Sequence, residues 1–146
     1  LLFETMGNYE EIESALQVSN HVDIQRWLSI VLKNKNSILD GTELQKVVEL
    51  ANKNKIDKVL INCTPINIIS ESLDKFLEFW KGNWGVYPNA GENMPTKNGE
   101  FVSKIDDESF CKAIQDYIAL GASVVGSCCG STPNTVRKIS NIIQEL

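Results

Sequence analysis

Cysteine is the residue whose spacing in this chain suggests chemistry. Cys128 and Cys129 are adjacent, within Val124-Val125-Gly126-Ser127-Cys128-Cys129-Gly130-Ser131-Thr132-Pro133. That run reads as a buried strand that ends in two thiols and turns straight into a helix. Thr132 is the expected cap, and Pro133 opens the first turn. Cys63 precedes Cys128 by 65 positions, in Val59-Leu60-Ile61-Asn62-Cys63-Thr64-Pro65. Here too an apolar strand runs into Cys and then Thr-Pro. Two strand ends that both deliver thiols suggest one site built from both. In parallel α/β folds, strand carboxyl ends beside helix N-termini are where chemistry is placed, and a helix dipole favours thiolate over thiol.

Three thiolates at converging strand ends make a Zn²⁺ site with one position left open. Soft sulfur ligands select zinc or a similar metal over Mg²⁺ or Ca²⁺. Such a centre carries net charge −1. A substrate thiol would lose its proton on binding there, yet remain electron-rich. That suits alkyl transfer to sulfur better than hydrolysis. A zinc-bound hydroxide would favour His ligands, and the one histidine, His21, lies far from both motifs in sequence.

Each residue also has a plainer reading. A single Cys at a strand end is usually a small hydrophobe. An adjacent pair is also compatible with two packed thiols or a vicinal disulfide. Taken together, the three cysteines favour metal. Cys111, beside Phe110 on a helix, reads as core. Glu4 ends a short strand at the same rim; it is either a solvated acid or a partner for a substrate amine. Asn89, after Tyr87-Pro88, is a turn former or a pocket donor. His21 reads as a solvated loop residue.

Five strand-and-helix units must position these groups. Leu1 to Glu4 is a short strand, followed by a helix capped by Asn8 with Glu11 as capping-box partner. Trp27 to Leu32 is a second strand, and Lys33 to Asp40 a polar loop. Thr42 and Gln45 read as a capping box for a helix with Leu44, Val47, Val48 and Ala51 on one face. Lys58 to Asn62 is the third strand; Leu73, Phe76, Leu77 and Trp80 mark the next helix. Gly85 to Pro88 is the fourth strand, and Glu92 to Ile105 a loop with Pro95 and Gly99. Asp106 or Asp107 caps a helix bearing Phe110, Ile114, Tyr117 and Ile118. Ala122 to Gly126 is the fifth strand, before a last helix with Val136, Ile139, Ile142 and Ile143. This alternation means α/β with a parallel sheet. A closed (β/α)₈ barrel needs about 250 residues. With 146, the chain is either an open sheet or the carboxyl-terminal part of a barrel.

The composition excludes several classes. Net charge is −5 without a Lys/Arg cluster, which speaks against nucleic acid. No apolar run approaches the roughly 20 residues of a membrane span, and no signal peptide is visible, so a cytoplasmic location is expected. Four cysteines in a chain of this length do not make a disulfide scaffold. The chain opens on Leu1-Leu2-Phe3-Glu4, without Met and as if in mid-strand, so a longer natural product is expected.

Four motifs in order resemble the homocysteine S-methyltransferases: Phe3-Glu4-Thr5, Ile61-Asn62-Cys63-Thr64, Tyr87-Pro88-Asn89-Ala90-Gly91-Glu92, and Gly126-Ser127-Cys128-Cys129-Gly130-Ser131-Thr132-Pro133. The resemblance spans nearly the whole chain. It implies residues 1–146 of a homocysteine-binding domain truncated at its N-terminus: a partial (β/α)₈ TIM barrel whose five units resemble strands 4 to 8. It implies zinc on Cys63, Cys128 and Cys129. Glu4 would hold the homocysteine amino group, with Asn62 and Asn89 as further substrate-binding candidates. The implied reaction moves a methyl group from a sulfonium donor, S-methylmethionine or S-adenosylmethionine, to homocysteine, giving methionine. Two positions depart from the family pattern: Ser127 and Leu60 stand where glycine is usual. Because five strands leave two open edges, self-association or complementation by the missing barrel half is expected. The alternative is a truncated, inactive homologue that at most binds zinc or serves as an interaction module.

Overall fold

Five β/α units follow one another in the computed structural model, which describes residues 1–145. The elements are β1 (Leu2–Met6), α1 (Tyr9–Val18), β2 (Trp27–Ile30), β3 (Leu32–Asn34), β4 (Ser37–Ile38), α2 (Leu44–Lys53), β5 (Lys58–Asn62), α3 (Ile66–Phe79), β6 (Asn83–Tyr87), α4 (Asp107–Ala119), β7 (Val124–Val125) and α5 (Pro133–Gln144). A short 3₁₀ turn, Ser19–His21, follows α1, and His21 is exposed there.

The main sheet runs β1-β2-β5-β6-β7, parallel throughout and in strict sequence order. Doubly wound sheets reverse their strand order part-way. A wall that never reverses is the arrangement of a barrel, so the five units form part of a (β/α)₈ wall. Its outer face is apolar. Leu28, Val59 and Trp84 lie side by side across β2, β5 and β6 and are buried under the helices. Phe76 of α3 meets Trp84 edge-on, with ring centroids 6.0 Å apart. Burying a side chain such as Phe76 stabilises the fold by about 1.5–3 kcal/mol.

The inner face alternates differently. Ser29, Leu60, Gly85 and Val124 line up across it. Leu60 is almost fully buried, and Gly85 makes room for it. A Cβ on Gly85 would lie 2.9 Å from Leu60 Cδ2 and 2.4 Å from the Val124 carbonyl oxygen. The bulk that Leu60 brings to this layer is thus matched by a missing side chain on the next strand.

The local signals explain most helix starts. Asn8 Oδ1 accepts from the Glu11 N–H at 3.1 Å. Asp106, rather than Asp107, caps α4 by accepting from the N–H groups of Glu108 and Ser109. Thr132 and Thr135 form a reciprocal capping box at α5, with Pro133 in the first turn. The expected box at Thr42 and Gln45 does not form: α2 starts after Glu43, and no side chain caps it. Thr42 is used by the preceding turn. Its N–H donates to Asp40 Oδ1, and its carbonyl accepts from the Ile38 N–H. The polar loop expected from Lys33 to Asp40 is in part a hairpin, β3 against antiparallel β4. The second strand ends at Ile30, and the Val31 N–H makes its last ladder bond, to the Met6 carbonyl of β1. Cys111 is half-buried at a groove between α4 and α5, not in the core, because Phe110 takes the inward position beside it.

β1 and β7 end the sheet. Leu1 and Leu2, at the β1 edge, are 52% and 41% exposed.

Candidate metal centre

Cys63 follows the last residue of β5, and Cys128 and Cys129 lie just beyond β7. These strands are not neighbours; β6 runs between them. The chain after β6 therefore receives bonds from both sides. The Cys63 N–H donates to the Tyr87 carbonyl (3.2 Å) and the Cys128 N–H to the Pro88 carbonyl (2.8 Å). The Asn89 N–H reaches the Thr64 carbonyl, and the Ala90 N–H the Cys129 carbonyl. This lacing draws the two thiol-bearing turns together over the end of β6.

The three sulfurs converge. Cys63 Sγ is 2.9 Å from Cys128 Sγ and 3.5 Å from Cys129 Sγ, and the adjacent pair is 3.9 Å apart. No disulfide joins them; all three are free thiols. Tetrahedral zinc with Zn–S bonds of about 2.3 Å requires sulfurs about 3.8 Å apart. Two of the three separations are close to this, and opening the third by under 1 Å would seat an ion. Among the described residues this is the group of Cys, His, Asp or Glu side chains assembled for a metal. Burial, reinforced by the neighbouring thiols, pushes the Cys63 thiol up to about 12. The Cys63 thiol is thereby stabilised in its neutral form, and a bound cation would reverse that preference.

The backbone at the site is unusual. Cys63 has φ +49° and Thr5, at the end of β1, φ +59°. Both lie in the left-handed region, uncommon for a non-glycine residue and most of all for β-branched threonine. Side chains hold these turns in place. Asn89, fully buried, donates from Nδ2 to the Cys63 carbonyl (3.2 Å), while its Oδ1 accepts from the Gly91 N–H (3.2 Å). Asn62, also buried, donates to Thr5 Oγ1 (2.9 Å) and accepts from Ser29 Oγ (2.7 Å). Thr64 Oγ1 accepts from the Leu32 N–H and donates to the Asn62 carbonyl.

Glu4 is exposed on β1, and its Oε1 lies 3.5 Å from the Tyr87 hydroxyl. That hydroxyl donates to Ser29 Oγ at 2.6 Å. Since Ser29 in turn donates to Asn62, Tyr87 has to supply the proton of this contact. Burial, opposed by the Ser29 bond and aided by the Glu4 charge, pushes Tyr87 up to about 12, so it stays protonated at neutral pH. A polar relay thus crosses the inner face from Tyr87 through Ser29 and Asn62 to Thr5. Ser29 belongs to the site without having been singled out in the sequence, and Tyr87, quoted there only within a motif, was given no role. The available signal was Ser29 itself, a hydroxyl in the middle of Trp27-Leu28-Ser29-Ile30-Val31-Leu32.

A parallel wall in unbroken sequence order, with three free thiols at its carboxyl rim, defines the class: a length of (β/α)₈ barrel carrying a sulfur centre. The chain belongs to the homocysteine S-methyltransferase family, whose model matches residues 1–143. It is 28% identical to homocysteine S-methyltransferase 3 of Zea mays, over 99% of this chain and 44% of that protein. It is 30% identical to homocysteine S-methyltransferase 1 of Arabidopsis thaliana, over 96% of this chain and 44% of that one. A selenocysteine methyltransferase of Astragalus bisulcatus is 28% identical over 98% of this chain. In fold, the chain is similar to the homocysteine methyltransferase MmuM of Escherichia coli in its metallated form, with TM-score 0.78 at 24% identity. That match covers 97% of this chain and 44% of the other. The chain therefore spans under half the length of the curated relatives it matches. Among the described residues, no helix is long and apolar enough to cross a membrane.

Proposed function

We propose that this chain carries the metal centre and part of the substrate rim of a zinc-dependent homocysteine S-methyltransferase. The observation that carries the reading is the convergence of Cys63, Cys128 and Cys129 at the carboxyl rim of a barrel wall. The donor set, three sulfurs with one side open, fits zinc in a site that accepts a further thiol. When bound, zinc would lower the pKa of a substrate thiol and present it as thiolate at neutral pH.

The chain's own residues bind and orient. Glu4 pairs its carboxylate with the ammonium of homocysteine, a charge-assisted contact. Asn62 and Asn89 act on the substrate from behind: Asn62 fixes the β1 turn that presents Glu4, and Asn89 fixes the turn that presents Cys63. In the transfer, the homocysteine thiol gives its proton to solvent, its sulfur bonds to the methyl carbon, and the carbon–sulfonium bond of the donor breaks. The donor leaves as a neutral thioether, so no general acid is needed. S-methylmethionine and S-adenosylmethionine both have this chemistry, and methionine is the product. A cytoplasmic location, where thiols stay reduced, agrees with three free cysteines at the site.

The competing reading is a chain that binds metal but does not turn over. The unpaired β1 edge favours it for these residues by themselves. The test measures both properties. Purified protein should hold about one zinc, and the Cys63→Ser variant should hold none. Methionine formation should be weak for the chain alone. It should rise when a polypeptide carrying the first three β/α units of a relative is added. Absence of zinc from the unaltered protein would sink the proposal. Robust turnover by the 146-residue chain would show that its rim is already complete.

A further inference from the structure

The segment between β6 and α4 folds back over the cysteine rim as a strap. Its base is a bridge between Gly91 and Lys104, closed by the Ile105 N–H on the Ala90 carbonyl and the Glu92 N–H on the Ser103 carbonyl. Ala90 is itself bonded to the Cys129 carbonyl, so the strap is tied to the thiol turn. At its crown, the Phe101 ring spans two glycines. A Cβ on Gly91 would fall 2.0 Å from Phe101 Cδ1, and one on Gly130 would fall 3.2 Å from Cε2. Both sides of the ring thus abut glycines, and Phe101 stays partly exposed.

Beside the ring lies a cleft of about 490 Å³, walled by Gly99, Glu100, Phe101, Lys104, Cys129 and Gly130. Cys129 thus joins the cleft to the centre. Glu100 and Lys104 are both exposed, and among the described residues neither joins an ion pair. One wall therefore offers a carboxylate, an ammonium, an aromatic ring and a cysteine of the metal centre together.

We infer that this cleft binds the methyl donor as a zwitterionic amino-acid sulfonium, with the sulfonium on Phe101 and the α-ammonium and α-carboxylate on Glu100 and Lys104. The inference rests on the methyltransferase reading and supplies the subsite which that reading lacks. Three features of the cleft support it. An aromatic face attracts a cation that cannot donate hydrogen bonds. A three-thiolate zinc centre of charge −1 adds to the attraction at the Cys129 wall. Strand order supplies direction: Glu4 stands on β1, at one end of the sheet, and the cleft on the β6–α4 segment and the turn after β7, towards the other end. Acceptor and donor would then approach the centre from opposite sides, as in-line displacement at the methyl carbon requires.

The experiment uses the zinc-loaded 146-residue chain and saturation-transfer NMR on the S-methyl protons of S-methylmethionine. Methionine, the same zwitterion without the sulfonium charge, is the reference ligand. Phe101→Leu should weaken S-methylmethionine binding about tenfold and change methionine binding much less, while Phe101→Trp should retain both. Glu100→Gln and Lys104→Gln should weaken both ligands alike. An unchanged Kd in Phe101→Leu, or equal losses for the two ligands, would overturn the inference, as would no binding of S-methylmethionine at all. Cobalt-substituted protein separates this from the underlying reading. A shift of the thiolate-to-cobalt charge-transfer band on adding homocysteine reports the acceptor side, whatever the donor result.

Discussion

Replacing Asn89 by alanine should unmake the metal centre without touching a ligand. Its amide joins the Cys63 carbonyl to the Gly91 N–H, with both bonds at 3.2 Å and the side chain fully buried. Truncation leaves one acceptor and one donor without partners. A buried group stranded in this way costs about 1–3 kcal/mol. The two bonds are long, so a combined loss of about 2–3 kcal/mol is expected. Cys63 is held at φ +49°, a conformation its turn would otherwise leave. The loss should therefore appear largely as weakened metal binding, roughly thirty- to a hundredfold. Zinc competition against a chromogenic chelator reads this directly, and urea unfolding of the metal-free protein reads the remainder. Asn89→Asp should not rescue: it keeps an acceptor for Gly91 but turns a second acceptor towards the Cys63 carbonyl. Zinc affinity within twofold of the parent, with an unchanged unfolding midpoint in Asn89→Ala, would refute the reasoning.

Other outcomes are equally specific. Serine at Cys63, Cys128 or Cys129 should strip zinc, while Cys111→Ser should leave metal content unchanged by elemental analysis, since Cys111 sits in the α4–α5 groove. In a complemented, active protein, Glu4→Gln should raise the KM for homocysteine roughly ten- to a hundredfold, the worth of one charge-assisted contact, with zinc retained; an unchanged KM would place the ammonium elsewhere. Asp107 is held below the usual carboxylate range by its bonds to Lys138, Thr135 and Asn134 on α5. A lowered folded-state pKa gives stability that is present above about pH 4 and lost as pH falls through the folded value. Asp107→Asn should therefore lower the thermal midpoint at pH 7, with the difference from the parent shrinking as the pH falls through the folded-state value. At the β1 edge, Leu2→Lys should reduce self-association measured by light scattering, because a charge on an open strand edge opposes pairing.

The sequence made the wall of the fold legible and left its interior obscure. Apolar runs such as Lys58–Asn62 mark strands because both faces of a parallel sheet are covered. Asn8, Asp106 and Thr132 mark helix starts because their caps are local. Thr42 misled because the same side-chain pattern fits a turn, and the Asp40 carboxylate claimed its N–H first. The hairpin of β3 and β4 was hidden by Asn34, Lys35 and Asn36, polar residues that read as loop. At the centre, three cysteines at two strand ends could be read as one site, since strand ends converge in any parallel wall. The relay through Ser29 could not be read, because it joins β6, β2, β5 and β1 across the inner face and depends on register. The role of Phe101 was invisible for a similar reason: it depends on two glycines, Gly91 and Gly130, brought together only in three dimensions.

The unbroken strand order also has a kinetic consequence. Each strand of the main sheet pairs only with its nearest neighbours along the chain, so every pairing step closes a loop of a single β/α unit. Loop-closure entropy grows slowly with length, and contacts that are near in sequence form early. The wall can therefore zip outward from any unit. The thiol centre is the exception, because Cys63 and Cys128 are 65 residues apart and meet across an intervening strand. Its assembly has to wait until three strands are in register. A metal ion arriving at that stage would act as a latch on a nearly finished wall rather than as a nucleus for it.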